Sequence, residues 1–279
     1  FARLPLTPAA LANLQLLGYT QMTPIQAASL PIALLGKDLI AQAKTGSGKT
    51  AAFALALLAN LNARRFAVQA MVLCPTRELA DQVSKEIRQL AKTIANIKIL
   101  TLCGGQPLGA QLASLERSPH VVVGTPGRIL KHLQKGSLQF NGLETLVLDE
   151  ADRMLSMDFE EEINKILAVI PAERRTLLFS ATMTSKVAKL QKASLVNPVK
   201  VEVSTKFQTP KQLIQNYLFI PAKWKDVYLA YTLDEFKGQT VIIFVATCNN
   251  ALRITLMLRN LGFQASCLHG QLTQAKRMG

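Results

Sequence analysis

Ala43-Lys44-Thr45-Gly46-Ser47-Gly48-Lys49-Thr50 lies between the apolar run Leu39-Ile40-Ala41 and a stretch of good helix formers, Ala51 to Leu61. The order reads as strand, glycine-bearing loop and helix start, which is the setting a phosphate-binding loop needs. Glycines at 46 and 48 let the backbone turn tightly. Successive N–H groups from Ala43 through Thr45, Ser47 and Thr50 can then converge on phosphate oxygens, and the helix N-terminus adds partial positive charge. In that arrangement Lys49 reaches the β/γ-phosphates and the Thr50 hydroxyl takes one position on Mg²⁺. Ala43 stands where the general pattern has its first glycine, so these eight residues alone also admit a plain glycine-rich turn before a helix.

Outward from the loop the chain alternates. Strands are expected at Ala70 to Cys74, Lys98 to Leu102, His120 to Gly124, Glu144 to Leu148, Leu177 to Ser180 and Val199 to Val203. Helices are expected between them, notably at Glu78 to Ile94, Ile129 to Lys135, Phe159 to Ile170 and Ser185 to Leu195. This pattern predicts a mostly parallel α/β sheet flanked by helices, with ligands beyond the carboxyl ends of the strands. Residues 204–211 carry no apolar periodicity and read as a linker between a first domain, 1–203, and a partial second one, 212–279. In the latter, strands are expected at Asn216 to Ile220, Thr240 to Val245 and Ala265 to Leu268, with helices at Trp224 to Leu233 and Asn250 to Leu261. Three strands are few for an independent α/β domain.

The 279 residues are 49% hydrophobic, enough for a sizeable core, yet no apolar run approaches the ~18 residues of a membrane span. The start, Phe1-Ala2-Arg3-Leu4-Pro5, lacks a signal-peptide layout. Cys74, Cys103, Cys248 and Cys267 are scattered without CxxC spacing, which predicts reduced thiols in a cytosolic or nuclear protein. A formal charge of +14 suggests a polyanionic partner, although a solubility device would look similar. The basic residues are spread along the chain, so they favour a shaped groove over a disordered arm.

Three further places bear on chemistry. Thr7-Pro8 can start a first helix ending near Gly18. Thr23 can cap a second, with Gln26 completing a capping box; the Gln26 amide could also pair with an adenine edge while Tyr19 stacks on its face. Asp149-Glu150-Ala151-Asp152 follows a strand directly. There Asp149 could sit in a Mg²⁺ shell and Glu150 position or deprotonate an attacking water, or the run could be an acidic turn capping the next helix.

Taken together these residues resemble the DEAD-box RNA helicases of superfamily 2. The matches are Gly18-Tyr19 to Gln26 as the Q motif with Phe1 as its upstream aromatic, and Ala43 to Thr50 in the family's A-x-T-G-x-G-K-T form. They continue through Pro75-Thr76-Arg77-Glu78-Leu79-Ala80, Gly104-Gly105, Thr125-Pro126-Gly127-Arg128, Asp149-Glu150-Ala151-Asp152 and Ser180-Ala181-Thr182, in family order. The alanine at 43 thereby becomes a family mark. The resemblance implies a RecA-like sheet, ATP and Mg²⁺ as cofactors, and Tyr19 and Gln26 as adenine readers. It makes Lys49, Thr50, Asp149, Glu150, Ser180 and Thr182 the catalytic set, with Thr50 and Asp149 on the metal. Ser180 and Thr182 would link nucleotide state to RNA remodelling, or serve only as strand-end hydroxyls holding a turn. Pro75, Thr76, Arg77, Gly104, Gly105, Thr125, Gly127 and Arg128 would contact the RNA backbone with little sequence specificity.

The second segment matches in part, through Ile242 to Thr247 and through His269-Gly270 with Gln274 to Arg277. The family's later motifs, A-T-D-x-x-A-R-G-x-D and H-R-I-G-R-T-G-R, have no counterpart. The last carries arginine fingers worth about 10³ to 10⁵ in rate, so weak ATPase is expected of this chain alone. Up to about residue 150 the wording is closest to bacterial ribosomal-RNA members of the family. From Met157-Asp158-Phe159 onward it is closer to nucleolar ribosome-assembly members, which suggests a mosaic. The expected function is ATP-dependent RNA remodelling, with ribosomal RNA as partner, no membrane, and a cytoplasmic or nucleolar location. The alternative is a nucleotide- and RNA-binding clamp without efficient ATPase, and a P-loop kinase or DNA-directed ATPase would leave Tyr19, Gln26 and Thr125 to Arg128 unexplained.

Overall fold

The computed structural model describes residues 1–203 and 213–278. The linker expected at 204–211 lies outside the described residues. The chain divides into two compact units, Phe1–Lys206 and Phe207–Gly279.

In the first unit the elements follow in order: helices α1 (Pro8–Leu16) and α2 (Pro24–Leu34), strand β1 (Leu39–Gln42), α3 (Lys49–Ala59), β2 (Ala70–Leu73), α4 (Arg77–Leu90), β3 (Ile99–Leu102), α5 (Leu108–Leu115), β4 (Val121–Gly124), α6 (Pro126–Gln134), β5 (Thr145–Leu148), α7 (Ala151–Ser156), α8 (Glu160–Leu167), β6 (Arg175–Ser180), α9 (Ser185–Ser194) and β7 (Val199–Glu202). The seven strands form one sheet in the order β3-β4-β2-β5-β6-β1-β7, and every pairing is parallel. All the strand ends that follow β1 to β6 therefore open on one edge of the sheet. Alternation along the strands divides the core in two. Leu39, Ala41, Val72, Val121, Val123, Val147, Leu177 and Phe179 pack with α2, α3 and α4. Ile40, Met71, Leu73, Val122, Leu146, Leu148 and Leu178 pack with residues of α6 to α9. Burial on both faces is why the inner strands β2, β4 and β5 are almost wholly apolar, whereas the edge strand β7 alternates Val with Lys and Glu.

Local chemistry sets the helix starts. Thr7 accepts from the Ala10 N–H at 3.2 Å, with Pro8 in the first helical turn. At α2 both halves of the capping box are present: Gln26 N–H to Thr23 Oγ1 at 3.5 Å and Thr23 N–H to Gln26 Oε1 at 2.9 Å. Helix α6 begins three residues before the expected Ile129, because Thr125 adopts the extended capping conformation and Pro126 suits the first turn. Helices α5 and α7 lie in gaps between strands, where the alternation predicts helices without fixing their bounds.

Strand β6 begins at Arg175 rather than at the expected Leu177. A buried arginine reads as polar in the sequence. Here its guanidinium donates to the carbonyls of Ala33 at 2.6 Å and Ala56 at 3.3 Å and to Thr145 Oγ1 at 2.9 Å. Asp38 closes the same end of the sheet, accepting from the N–H groups of Thr176 and Val196, each at 2.7 Å.

Residues 213–278 hold three helices, α10 (Lys225–Glu235), α11 (Cys248–Asn260) and α12 (Gln274–Met278). Thr247 caps α11, and Arg253 grips Asp226 through two hydrogen bonds of 2.5 and 3.0 Å, tying α11 to α10. The three expected strands do not form among the described residues. A parallel strand gains its hydrogen bonds and its buried faces only from neighbours, and apolar positions there stay in water: Phe219 is 99% exposed and Phe244 91%. Chymotrypsin is therefore expected to cut at Tyr217, Phe219 and Phe244 before Phe66, an exposed aromatic of the first unit that is held against His120 and under Lys98. Mass mapping of early fragments checks this, and a first cut within 1–203 would contradict it.

Candidate active site and nucleic-acid interface

The loop from Ala43 to Gly48 joins β1 to α3. Gly48 has φ +88°, and a Cβ there would lie 2.6 Å from the Gln26 amide nitrogen, so both the backbone conformation and the close approach call for glycine. Gln26 Nε2 donates to the Gly48 carbonyl at 3.0 Å, which fastens the Q-motif helix to the loop. The Ala43 N–H donates to the Ser180 carbonyl at 3.1 Å, fastening the other end of the loop to β6. Lys49, the first residue of α3, is buried, and its ammonium donates to the Ala43 carbonyl at 2.9 Å. Ser47 Oγ donates to the Lys44 carbonyl at 2.7 Å, and Thr50 is half-buried one residue beyond Lys49.

Asp149 and Glu150 leave β5 on the same edge. Asp149 is 3% exposed, and its Oδ1 is buried without a hydrogen-bond partner. Burial pushes its carboxyl up to about 7; Lys49 opposes the rise and Glu150 adds to it. Glu150 has φ +51°, a left-handed conformation unusual for a side-chain-bearing residue, and pairs with Arg153 at 3.3 Å. Asp152, one turn on, reaches back to β6. Its Oδ2 accepts from the Thr182 N–H at 2.9 Å and from Thr182 Oγ1 at 2.7 Å, while Ser180 Oγ donates to the Thr182 carbonyl at 2.7 Å. Burial pushes the Asp152 carboxyl up, but the hydrogen bonds from Thr182 and Ser180 outweigh it and hold the group below its usual range. The start of α7 and the end of β6 are thus one hydrogen-bonded unit.

Tyr19 makes an edge-on contact with Phe1, their ring centroids 6.3 Å apart, and its hydroxyl lies 3.2 Å from Glu86 Oε1 on α4. Burial and then the Glu86 charge push the phenol up to about 12. A cleft of about 480 Å³ opens beside it, lined by Glu78, Asp81, Gln82, Lys85, Glu86 and Gln89.

The remaining turns follow β2, β3 and β4, which lie side by side at one end of the strand order. Thr76 caps α4, accepting from the Leu79 N–H at 3.2 Å, and Pro75 precedes it. A Cβ on Gly104 would stand 3.1 Å from Arg77 Nη2, so the first glycine of Gly104-Gly105 gives the Arg77 guanidinium its seat. Arg128, three residues beyond Thr125 and next to the exposed Gly127, donates to Gln111 Oε1 and to the Gln106 carbonyl, each at 3.2 Å. The sheet thereby sorts the candidate residues. The exits of β1, β5 and β6 hold Lys49, Thr50, Asp149, Glu150, Ser180 and Thr182, and the exits of β2, β3 and β4 hold the small and basic turns.

Asp152, Glu86 and Gln111 were absent from the candidate set. Asp152 had a visible signal, an acidic residue one turn after Asp149; Glu86 and Gln111 had none, since each acts across 67 or 17 residues of chain. Among the described residues no cluster of three or more histidine, cysteine or acidic side chains could cage a metal ion. Mg²⁺ does not need one, since it keeps several waters and binds through one or two carboxylates and substrate phosphates. The partnerless Oδ1 of Asp149 fits that requirement.

Residues 23–190 match the family model for the DEAD/DEAH box helicase. The chain is 53% identical over 258 residues to the ATP-dependent RNA helicase DDX47 of Drosophila melanogaster, covering 91% of this chain and 50% of that protein. It is 52% identical over 266 residues to the ATP-dependent rRNA helicase rrp3 of Neosartorya fischeri, covering 94% and 56%. Both matches are long enough to run through both halves of the chain, which spans about half the length of these curated relatives. Among solved structures it resembles a DEAD box protein from the hyperthermophile Methanococcus jannaschii, with a TM-score of 0.71 and 35% identity over 99% of this chain and 74% of that one. A parallel sheet with a phosphate loop at one strand exit and Asp149 to Asp152 at another, together with these matches, places the chain in the DEAD/DEAH box helicase family.

Proposed function

We propose that the chain binds ATP with Mg²⁺ at the exits of β1, β5 and β6 and RNA backbone at the exits of β2, β3 and β4, and that hydrolysis at the first site remodels RNA at the second. The observation that carries this reading is the buried, partnerless Asp149 carboxylate oxygen in the field of Lys49, beside a glycine loop opening a helix. Loop N–H groups from Thr45 to Gly48 and the α3 N-terminus hold the phosphates. Lys49 exchanges the Ala43 carbonyl for a β/γ-phosphate oxygen, while Tyr19 and Gln26 hold the adenine. Thr50 and Asp149 hold Mg²⁺, which when bound neutralises charge on the phosphates. Glu150 orients or deprotonates the attacking water. Ser180 and Thr182, tied through Asp152 to α7, carry a change at Glu150 to the end of β6.

The RNA partner is read through turns made by Pro75, Thr76, Arg77, Gly104, Gly105, Thr125, Gly127 and Arg128, whose glycine N–H groups and two guanidinium charges face phosphates and offer little to bases, Pro75 contributing shape and no N–H. Ribosomal RNA is the proposed substrate, supported by the name of the Neosartorya fischeri relative and by the net charge of +14. A nucleolar or cytoplasmic location goes with that substrate. No described helix is long and apolar enough to cross a membrane. A nucleotide-binding domain over 1–203 and a partial second domain over 212–279, joined by 204–211, is the proposed organisation, and the division into two compact units supports it.

Phosphate release stimulated by RNA tests the reading. Lys49→Ala is expected to weaken Mg-ATP binding by about 10²-fold, the size of a lost charge-assisted contact with phosphate, and to abolish stimulation. A wild-type rate equal to that of Lys49→Ala would rule out the enzymatic reading for this chain.

A further inference from the structure

Gln111, on α5, uses every hydrogen-bonding site its side chain has. Its Oε1 accepts from Arg128 Nη1 at 3.2 Å and faces His132 Nε2 at 3.0 Å. Its Nε2 donates to the Cys103 carbonyl at 2.9 Å and to Gln106 Oε1 at 3.4 Å. An amide has two acceptor lone pairs and two N–H donors, so the group is saturated and its orientation is fixed. Gln111 is 3% exposed and His132 is fully buried. An amide oxygen can only accept, so His132 carries its hydrogen on Nε2, and Nδ1 faces Ser137 Oγ at 3.0 Å. Arg128 is held from a second side by the Gln106 carbonyl at 3.2 Å, which uses two of its five N–H donors and leaves the rest for phosphate.

The network crosses two turns assigned to RNA. Cys103 and Gln106 bracket Gly104-Gly105 at the exit of β3, and Arg128 closes the turn at the exit of β4. We infer that Gln111, braced by His132, is a positioning residue that sets the Arg128 guanidinium and locks the two turns into a single clasp for the RNA backbone. The inference rests on the RNA assignment of the Thr125 to Arg128 turn. A guanidinium on a flexible stem loses entropy whenever it is ordered by phosphate, and one already held in place loses less. An apolar core residue at 111 would fill the space and leave Arg128 to wander.

The test is a double-mutant cycle on the full chain, reading the affinity of a labelled short oligouridine in the presence of a non-hydrolysable ATP analogue and Mg²⁺. Arg128→Ala is expected to weaken RNA binding about tenfold, and Gln111→Met, nearly isosteric but without the amide, to do about the same. Gln111→Met placed on Arg128→Ala should cost clearly less than it does in wild type, the remainder being its hold on the Cys103 to Gln106 turn, and Gln111→Met should bind the ATP analogue as wild type does when RNA is absent. Full additivity of the two losses, or RNA binding by Gln111→Met within twofold of wild type, would overturn the positioning role. Wild-type affinity in Arg128→Ala alone would instead remove the RNA assignment of that turn, and the inference with it. Should Gln111→Met not fold, Gln111→Asn, shorter by one methylene and still polar, enters the same cycle with the same required result.

Discussion

Glu150→Gln is expected to lower RNA-stimulated phosphate release by about 10²- to 10⁴-fold, the usual contribution of a positioned general base, while Mg-ATP affinity stays within about threefold of wild type. The substitution keeps the shape of the side chain, so it carries the same left-handed backbone at φ +51° and the same contacts at the start of α7. What it removes is the negative charge and the proton acceptor. The ion pair with Arg153 is lost as well, but the arginine is 58% exposed, and a pair in that setting contributes at most about 1 kcal/mol. Folding is therefore preserved and the rate reports on the chemistry. The variant also holds ATP without consuming it, so RNA affinity with ATP should match that of wild type with a non-hydrolysable analogue. Single-turnover phosphate release beside equilibrium ATP binding checks both halves. A loss below tenfold would mean that Glu150 does not act on the water, and the geometry would then leave it as the residue that starts α7.

The contrast between Glu150 and Gln111 marks what the sequence could tell. Residues 43–50 and 149–152 carry their signals locally: a loop, a strand end and a helix start are adjacent in the chain, so spacing suggests phosphate and Mg²⁺ chemistry there, and their order along the chain with 180–182 carries the family resemblance. The capping box at Thr23 and Gln26 is local as well, and it formed as read. The further bond from Gln26 to Gly48 was beyond reading, because it joins residues 22 apart through a fold that had first to be known. The same holds for Tyr19 with Glu86, for Arg175 inside β6, and for the Gln111 network, where polar side chains are buried because their partners arrive from other strands. In 213–278 the difficulty runs the other way. Ile242, Phe244 and Leu268 have the composition of strand residues, but composition supplies no neighbour for them to pair with, and they remain exposed.

Asp149→Asn is expected to move stability and function in opposite directions. In the metal-free protein the carboxyl is pushed up to about 7, first by burial, so the folded state keeps a proton that the unfolded chain gives up near its ordinary 3.8. Between about pH 4 and pH 7 the folded state binds more protons, and the stability contributed by this group is lost as pH rises through that window. At pH 8 the wild-type carboxylate is ionised, buried and short of a partner for Oδ1, a penalty on the order of a few kcal/mol at about 1.4 kcal/mol per pH unit. Asparagine carries no charge and escapes that penalty. The variant should melt several degrees above wild type at pH 8 without Mg²⁺, and with no advantage at pH 5, where wild type is already protonated. Mg²⁺ should erase most of the difference in wild type when ATP is present, because it binds the ionised form, whereas the variant should lose Mg²⁺-dependent ATP affinity by about 10²-fold. Thermal melts at the two pH values, with and without Mg-ATP, separate these terms. An equal shift at pH 5 and pH 8 would show that the gain came from packing, and that Asp149 is not a charge held ready for a metal ion.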